Sequence, residues 1–145
     1  KLIDFGFSVL VQQPNQRLKV FCGTPSYMAP EITRKSDYEG MPVDIWALGV
    51  LLFTILCGCF PYRGQTDQEL YTKISNSDYR IPSDVYQALS QDAIDLIALL
   101  FSLEAEKRPT ARELLTHPWL VDVPLPRDRK HQSVPPSLRQ HCSQP

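Results

Sequence analysis

The sequence has no excess of either charge: 15 Lys and Arg stand against 16 Asp and Glu, a net charge of −1 over 145 residues. A chain without a basic stripe or an acidic block offers no electrostatic footprint for nucleic acid or a membrane surface, so neither is expected as a partner. Cysteine is scarce as well. Cys22, Cys57, Cys59 and Cys142 are spaced neither as a zinc site nor as a disulfide framework. Reduced thiols are expected, with Cys57 and Cys59 as small core residues in an apolar run. No charged-then-apolar leader opens the chain, so no secretory signal is read. These absences together point to a cytoplasmic or nuclear protein, not a secreted one. No internal repeat is found. One long apolar run exists, residues 45–60, and as a helix it would measure about 24 Å against the roughly 30 Å of a bilayer core. Gly49, Thr54 and Gly58 interrupt it. A helix apolar on all sides at that length is expected to be a buried core helix. With 43% hydrophobic residues the chain has ordinary globular composition and room for one domain at most.

Punctuation residues divide the rest. Residues 2–3 read as a short strand end. Residues 7–29 read as loop, broken by Pro14, Asn15, Gly23 and Pro25. A short helix is expected over 30–35, opened by a proline, and the apolar helix from Pro42 to near Gly58. Thr66-Asp67-Gln68-Glu69 and Thr110-Ala111-Arg112-Glu113 both have the spacing of a capping box. The first opens a helix to about Ile74; the second starts a last helix that stops before Pro118. Ser90 is the expected N-cap of a helix over 91–103, with Ile94, Ile97, Ala98 and Phe101 on one stripe. Residues 76–85 read as loop. Residues 121–145, with Pro124, Pro126, Pro135, Pro136 and Pro145, read as a disordered Pro-rich tail.

Six short motifs follow one another in a fixed order. Asp4-Phe5-Gly6 comes first, then Cys22-Gly23-Thr24-Pro25-Ser26-Tyr27-Met28-Ala29-Pro30-Glu31. Val43-Asp44-Ile45-Trp46-Ala47-Leu48-Gly49-Val50 is third, Gly58-Cys59-Phe60-Pro61-Tyr62 fourth, Lys107-Arg108-Pro109-Thr110 fifth and Thr116-His117-Pro118-Trp119-Leu120 last. No motif alone is specific, but the ordered set resembles the C-terminal half of a serine/threonine protein kinase domain, from Asp-Phe-Gly onward. In style it is similar to the calcium/calmodulin-dependent and AMP-activated kinase group. The resemblance implies a mainly α fold: the C-terminal half of the large lobe, with a short strand at the N-terminus. It spans residues 1–120 as a partial kinase domain.

What the resemblance implies chemically is specific to single residues. Asp4 matches the aspartate that binds the Mg²⁺ bridging the ATP phosphates, a hard oxygen ligand for a hard cation. Gly6 is expected to let the backbone turn so that Asp4 points inward, with Phe5 packed behind it. Thr24 matches the threonine that contacts the catalytic base. Gly23 and Pro25 shape the peptide-binding loop, and Phe21, Pro25 and Met28 are expected to wall the pocket for the residue after the phosphoacceptor. Glu31 and Arg108 match a structural ion pair between the activation segment and the lobe. Asp44 matches the aspartate at the start of the central helix that accepts catalytic-loop amides, where the helix dipole favours it. Trp46 and Trp119 read as packing, and His117 as structural.

Some expected kinase parts do not occur in these residues. The Gly-rich loop, the strand lysine with its glutamate partner, the catalytic base and the second metal-ligating Asn are the absentees. The expectation is therefore an enzyme by family, with ATP and Mg²⁺ used only in the complete kinase and protein substrates as partners. The chain alone is expected to be inactive; the oligomeric state is left open. The alternative is a non-catalytic truncated lobe acting as a peptide or protein interaction module. Val20 stands where many such kinases carry a phosphorylated Thr, and no Ser, Thr or Tyr lies between Val9 and Gly23. Phosphate-driven ordering at that place is excluded. Leu18 and Phe21 are the apolar candidates to order the segment instead. Thr54 stands where some kinases that prefer basic substrates have an acid, so that preference is unsupported.

Overall fold

The computed structural model describes residues 3–13 and 15–121. It is mainly helical, with one two-stranded sheet. The strands β1 (Arg17–Leu18) and β2 (Tyr38–Glu39) are antiparallel, in register Arg17↔Glu39 and Leu18↔Tyr38. Helices α1 (Pro30–Thr33), α2 (Gly40–Cys57), α3 (Asp67–Ser75), α4 (Ser83–Ala88), α5 (Gln91–Leu100), α6 (Ala111–Leu114) and α7 (Pro118–Val121) follow in chain order around them.

Capping chemistry explains several boundaries. The Thr66 hydroxyl accepts from the Glu69 N–H at 3.2 Å, opening α3. The reciprocal half of the expected box is displaced by one residue: Glu69 Oε2 accepts from Gln65 N–H at 2.9 Å. At α6 the box closes fully, Thr110 N–H donating to Glu113 Oε2 at 2.7 Å while the Glu113 N–H donates to Thr110 Oγ1. Ser90 caps α5 through Ala93 N–H.

Several expectations need correction. α2 starts at Gly40, two residues before Pro42, because β2 delivers the chain directly into it. The span read as loop after Asn76 contains the start of α4, since Pro82 fixes an extended entry ahead of Ser83 and Asp84. On α5 the buried stripe is Ala93, Leu96, Ile97 and Leu100; Ala98 faces solvent. The segment before Pro25 contains β1, and α7 follows Pro118. Leu2 and the tail beyond Val121 lie outside the described residues, as do Pro14 and Cys142.

α2 is the spine. Its Trp46, Val50 and Phe53 are fully buried with Tyr62, Ile74, Ile97 and Phe101. A second cluster joins Ile45 to Leu96, Leu100 and Leu114. Aromatic rings fill the centre: Trp46 stacks on Tyr62 at 5.7 Å, and Phe101 lies 5.1 Å from Trp46 and 5.0 Å from Tyr79. Such pairs add roughly 0.5–1.5 kcal/mol each beyond area burial. The helix was expected to be buried all round, but one side is open. Leu48, Leu51 and Ile55 are 43%, 46% and 70% exposed. By length and composition α2 meets the criteria of a membrane span, with mean hydropathy 1.9. Its packed side, built into the aromatic core, marks it instead as the central helix of this lobe.

Candidate functional site

The Asp4-Phe5-Gly6 turn places its special conformation at the aspartate. Asp4 has φ 62°, in the left-handed region that Asp and Asn tolerate better than other side chains. Gly6, expected to provide the turn, does not itself have positive φ. Its role is close approach: a Cβ there would lie 3.2 Å from Asp4 Oδ1. That oxygen accepts the Gly6 N–H at 3.2 Å, and the carboxylate is exposed. Phe5 is 68% exposed, so it does not pack behind Asp4 among the described residues. The turn closes through Ser8, whose N–H and hydroxyl both donate to the Phe5 carbonyl, at 3.0 and 2.7 Å.

A cavity of about 540 Å³ lies between this turn and the start of α2. Gly6, Phe7, Leu18, Tyr38 and Asp44 are among the residues that line it. Asp44 falls in the second turn of α2 rather than at its start, since the helix begins at Gly40, so the dipole helps it little. Desolvation raises its pKa above the ordinary carboxylate value. Among the described residues no attractive partner offsets that cost.

Farther along, Gly23 at φ 121° turns the chain into a 3₁₀ turn, Pro25–Tyr27. Any Cβ would be strained at that angle. The Thr24 carbonyl accepts from Tyr27 N–H at 3.0 Å, and the Pro25 carbonyl from Met28 N–H at 3.1 Å. Thr24 is exposed and its hydroxyl makes no capping bond. Tyr27 pins the turn edge-on against Phe60, centroids 5.6 Å apart. Phe21 leans on Tyr38 at 6.1 Å, while Pro25 and Met28 are half-buried. None of these three lines the cavity beside Asp44.

The strongest constellation is at Arg108. Its Nη1 and Nη2 donate to Glu31 Oε1 and Oε2 at 2.7 and 2.9 Å, a two-pronged pair. Nε donates to the Ser102 carbonyl at 2.9 Å, and Nη1 also to the Pro42 carbonyl at 3.0 Å. The guanidinium sits 5.0 Å from the centre of the Trp46 ring. Arg108 is 6% exposed. One side chain thus ties α1, the first turn of α2, the end of α5 and the core tryptophan together.

Sequence reasoning missed the ties on the activation segment. The Tyr38 hydroxyl donates to the Val20 carbonyl at 2.6 Å. Arg17 pairs with Glu39 at 3.6 Å and Lys19 with Asp37 at 3.4 Å. Alternating charges at 17, 19, 37 and 39 were the available signal. His117 is structural, its Nδ1 accepting the Trp119 N–H at 3.3 Å.

Among the described residues no three His, Cys, Asp or Glu side chains cluster to hold a metal ion. Asp4 offers a single carboxylate. That suits Mg²⁺, which commonly takes one or two carboxylates and completes its shell with water and phosphate oxygens.

The model of the protein kinase domain family matches residues 1–120. The chain belongs to the protein kinase family, and its relatives are serine/threonine kinases. It is 40% identical over 120 residues to the probable serine/threonine-protein kinase MARK-A of Dictyostelium discoideum, covering 83% of this chain and 11% of that protein. It is 37% identical over 143 residues to the serine/threonine-protein kinase DCLK1 of Rattus norvegicus, covering 97% and 32%. With calcium/calmodulin-dependent protein kinase type II subunit delta of Oryctolagus cuniculus it shares 41% over 120 residues, covering 83% and 22%. The chain thus spans a third or less of each of these relatives. Kinases of this family use ATP and Mg²⁺.

Proposed function

We propose that the protein carrying these residues transfers the γ-phosphate of ATP to Ser or Thr of protein substrates. Residues 1–145 supply the peptide-binding side and one metal ligand, and do not catalyse alone. The observation that carries this is the anchoring of α1 by Glu31 and Arg108, directly after the Gly23-Thr24-Pro25 turn. It fixes one end of the segment on which a peptide would lie. Asp4 would hold Mg²⁺, which supplies charge neutralisation at the phosphates. Thr24, exposed at the mouth of the 3₁₀ turn, presents its hydroxyl to the base of the complete site. Asp44, without a hydrogen-bond donor among the described residues, would accept the amides of the catalytic loop. Phe21, Pro25 and Met28 would favour an apolar residue after the phosphoacceptor. The free thiols Cys22, Cys57 and Cys59 fit a reducing compartment, cytoplasm or nucleus.

A second reading, an interaction module without catalysis, draws on the open stripe Leu48, Leu51 and Ile55, since exposed apolar patches mark contact surfaces. One experiment separates the two. The native gene product and residues 1–145 are each given labelled ATP, Mg²⁺ and a Ser-containing peptide with an apolar next residue. The kinase reading expects transfer by the native product and none by the 145-residue chain. A native product without transfer leaves the interaction module standing.

A further inference from the structure

We infer that Tyr38 is a positioning residue that holds the peptide-binding segment in place, in the role phosphate-ordered kinases give to a modified loop residue. The inference rests on the proposed kinase function.

The segment has no hydroxyl side chain between Val9 and Gly23 to carry a phosphate. It nevertheless has a defined docking place. β1 pairs with β2, so the backbone at Leu18 is registered against Tyr38 itself. Tyr38 then reaches two residues further. Its hydroxyl donates to the Val20 carbonyl at 2.6 Å, and its ring meets Phe21. Leu18 closes the contact from below; a Cβ on Gly40 would lie 3.1 Å from its Cδ1.

Magnitudes rank these contacts. The Arg17–Glu39 and Lys19–Asp37 pairs are long and exposed, and such pairs contribute little. Val20 and Phe21 are 66% and 39% exposed, so their own burial holds them weakly. Tyr38 is 8% exposed and stands immediately before α2. It is the rigid partner, and the segment is the part being held. Burial pushes the Tyr38 phenol above its ordinary value, with the Cys22 and Asp44 charges adding to it. The hydroxyl therefore remains a donor across the working pH range. Because Phe21 follows Val20 directly and Gly23 stands three residues on, fixing the Val20 carbonyl fixes the entry to the proposed peptide site.

The test is Tyr38→Phe, which keeps the ring and removes only the hydroxyl. Arg17 and Lys19 place two tryptic sites inside the held segment, and Arg63, exposed, is a control outside it. In the 145-residue chain, cleavage after Arg17 and Lys19 should accelerate about fivefold, with cleavage after Arg63 unchanged. In the native gene product the peptide KM should rise by a similar factor, while kcat and the KM for ATP stay near wild type. A structural role alone would not split KM from kcat in this way. Unchanged cleavage in the segment, an equal rise at Arg63, or an unchanged peptide KM would each overturn the inference. A native product without any phosphoryl transfer would refute the kinase reading, and the cleavage pattern would still decide whether Tyr38 holds the segment.

Discussion

Removing the Arg108 side chain should destabilise the lobe more than removing its carboxylate partner. Arg108→Ala deletes four hydrogen bonds at 2.7–3.0 Å and the contact with Trp46. It also leaves Glu31, whose side chain is only 15% exposed, as an unpaired charge. Breaking a buried pair from one side costs about 3–5 kcal/mol. Glu31→Gln leaves the guanidinium its bonds to Ser102 and Pro42 and its place over Trp46, so about 1.5–3 kcal/mol is expected, the value of a charged hydrogen bond. The double variant should cost less than the sum of the two, because each single change strands what the other removes. Urea unfolding followed by tryptophan fluorescence reads this directly, since Trp46 lies under Arg108. With a slope of about 1.5 kcal/mol/M, Arg108→Ala should lower the midpoint by about 2 M or more. Arg108→Lys should recover only part, because an ammonium cannot reproduce the two-pronged geometry. Equal losses for Arg108→Ala and Glu31→Gln, or strict additivity, would refute the idea that one arginine organises three elements.

Two further outcomes follow from the packing and the charge of the lobe. Gly49→Ala should cost about 1–3 kcal/mol despite alanine's better helix propensity, because the new Cβ would lie 2.9 Å from Leu100 Cβ and 3.0 Å from Phe101 Cε1; a raised melting temperature would contradict it. Asp44→Asn should stabilise residues 1–145 at neutral pH. Desolvation raises the folded-state pKa, so folding favours the protonated acid and the ionised form costs stability above that value. The gain should shrink as pH falls through the raised value toward 3.8, and thermal melts across that range showing a constant gain would refute the assignment.

How much of this was legible beforehand depended on the range of the interaction. α3, α5 and α6 announce themselves through Thr66, Ser90 and Thr110, because a cap acts within three residues of its own position. The apolar run located α2 but not its open side: composition does not say which neighbours cover a helix. β1 was invisible, being two residues long with its partner twenty residues away. α4 was lost for a related reason, its six residues being too few to show a period after Pro82. At the site, Glu31 and Arg108 lie 77 positions apart, and only the motif resemblance coupled them. Tyr38 belongs to no motif, and nothing local marks its hydroxyl as reaching Val20. The sharp turn was credited to Gly6, whereas the left-handed angle falls on Asp4, a residue whose type alone does not announce it.

The central claim is that Asp4 is a metal-ligating carboxylate in a phosphoryl-transfer site, and Asp4→Asn in the native gene product tests it most directly. Asparagine also tolerates φ near 62°, and Asp4 is exposed, so the melting temperature should stay within about a degree or two. Transfer of labelled phosphate from ATP to a Ser peptide should fall about a hundredfold or more, as expected when one charge is removed from the transition-state environment. Unchanged turnover with an unchanged melt would contradict the assignment of Asp4, and with it the chemical account of the site.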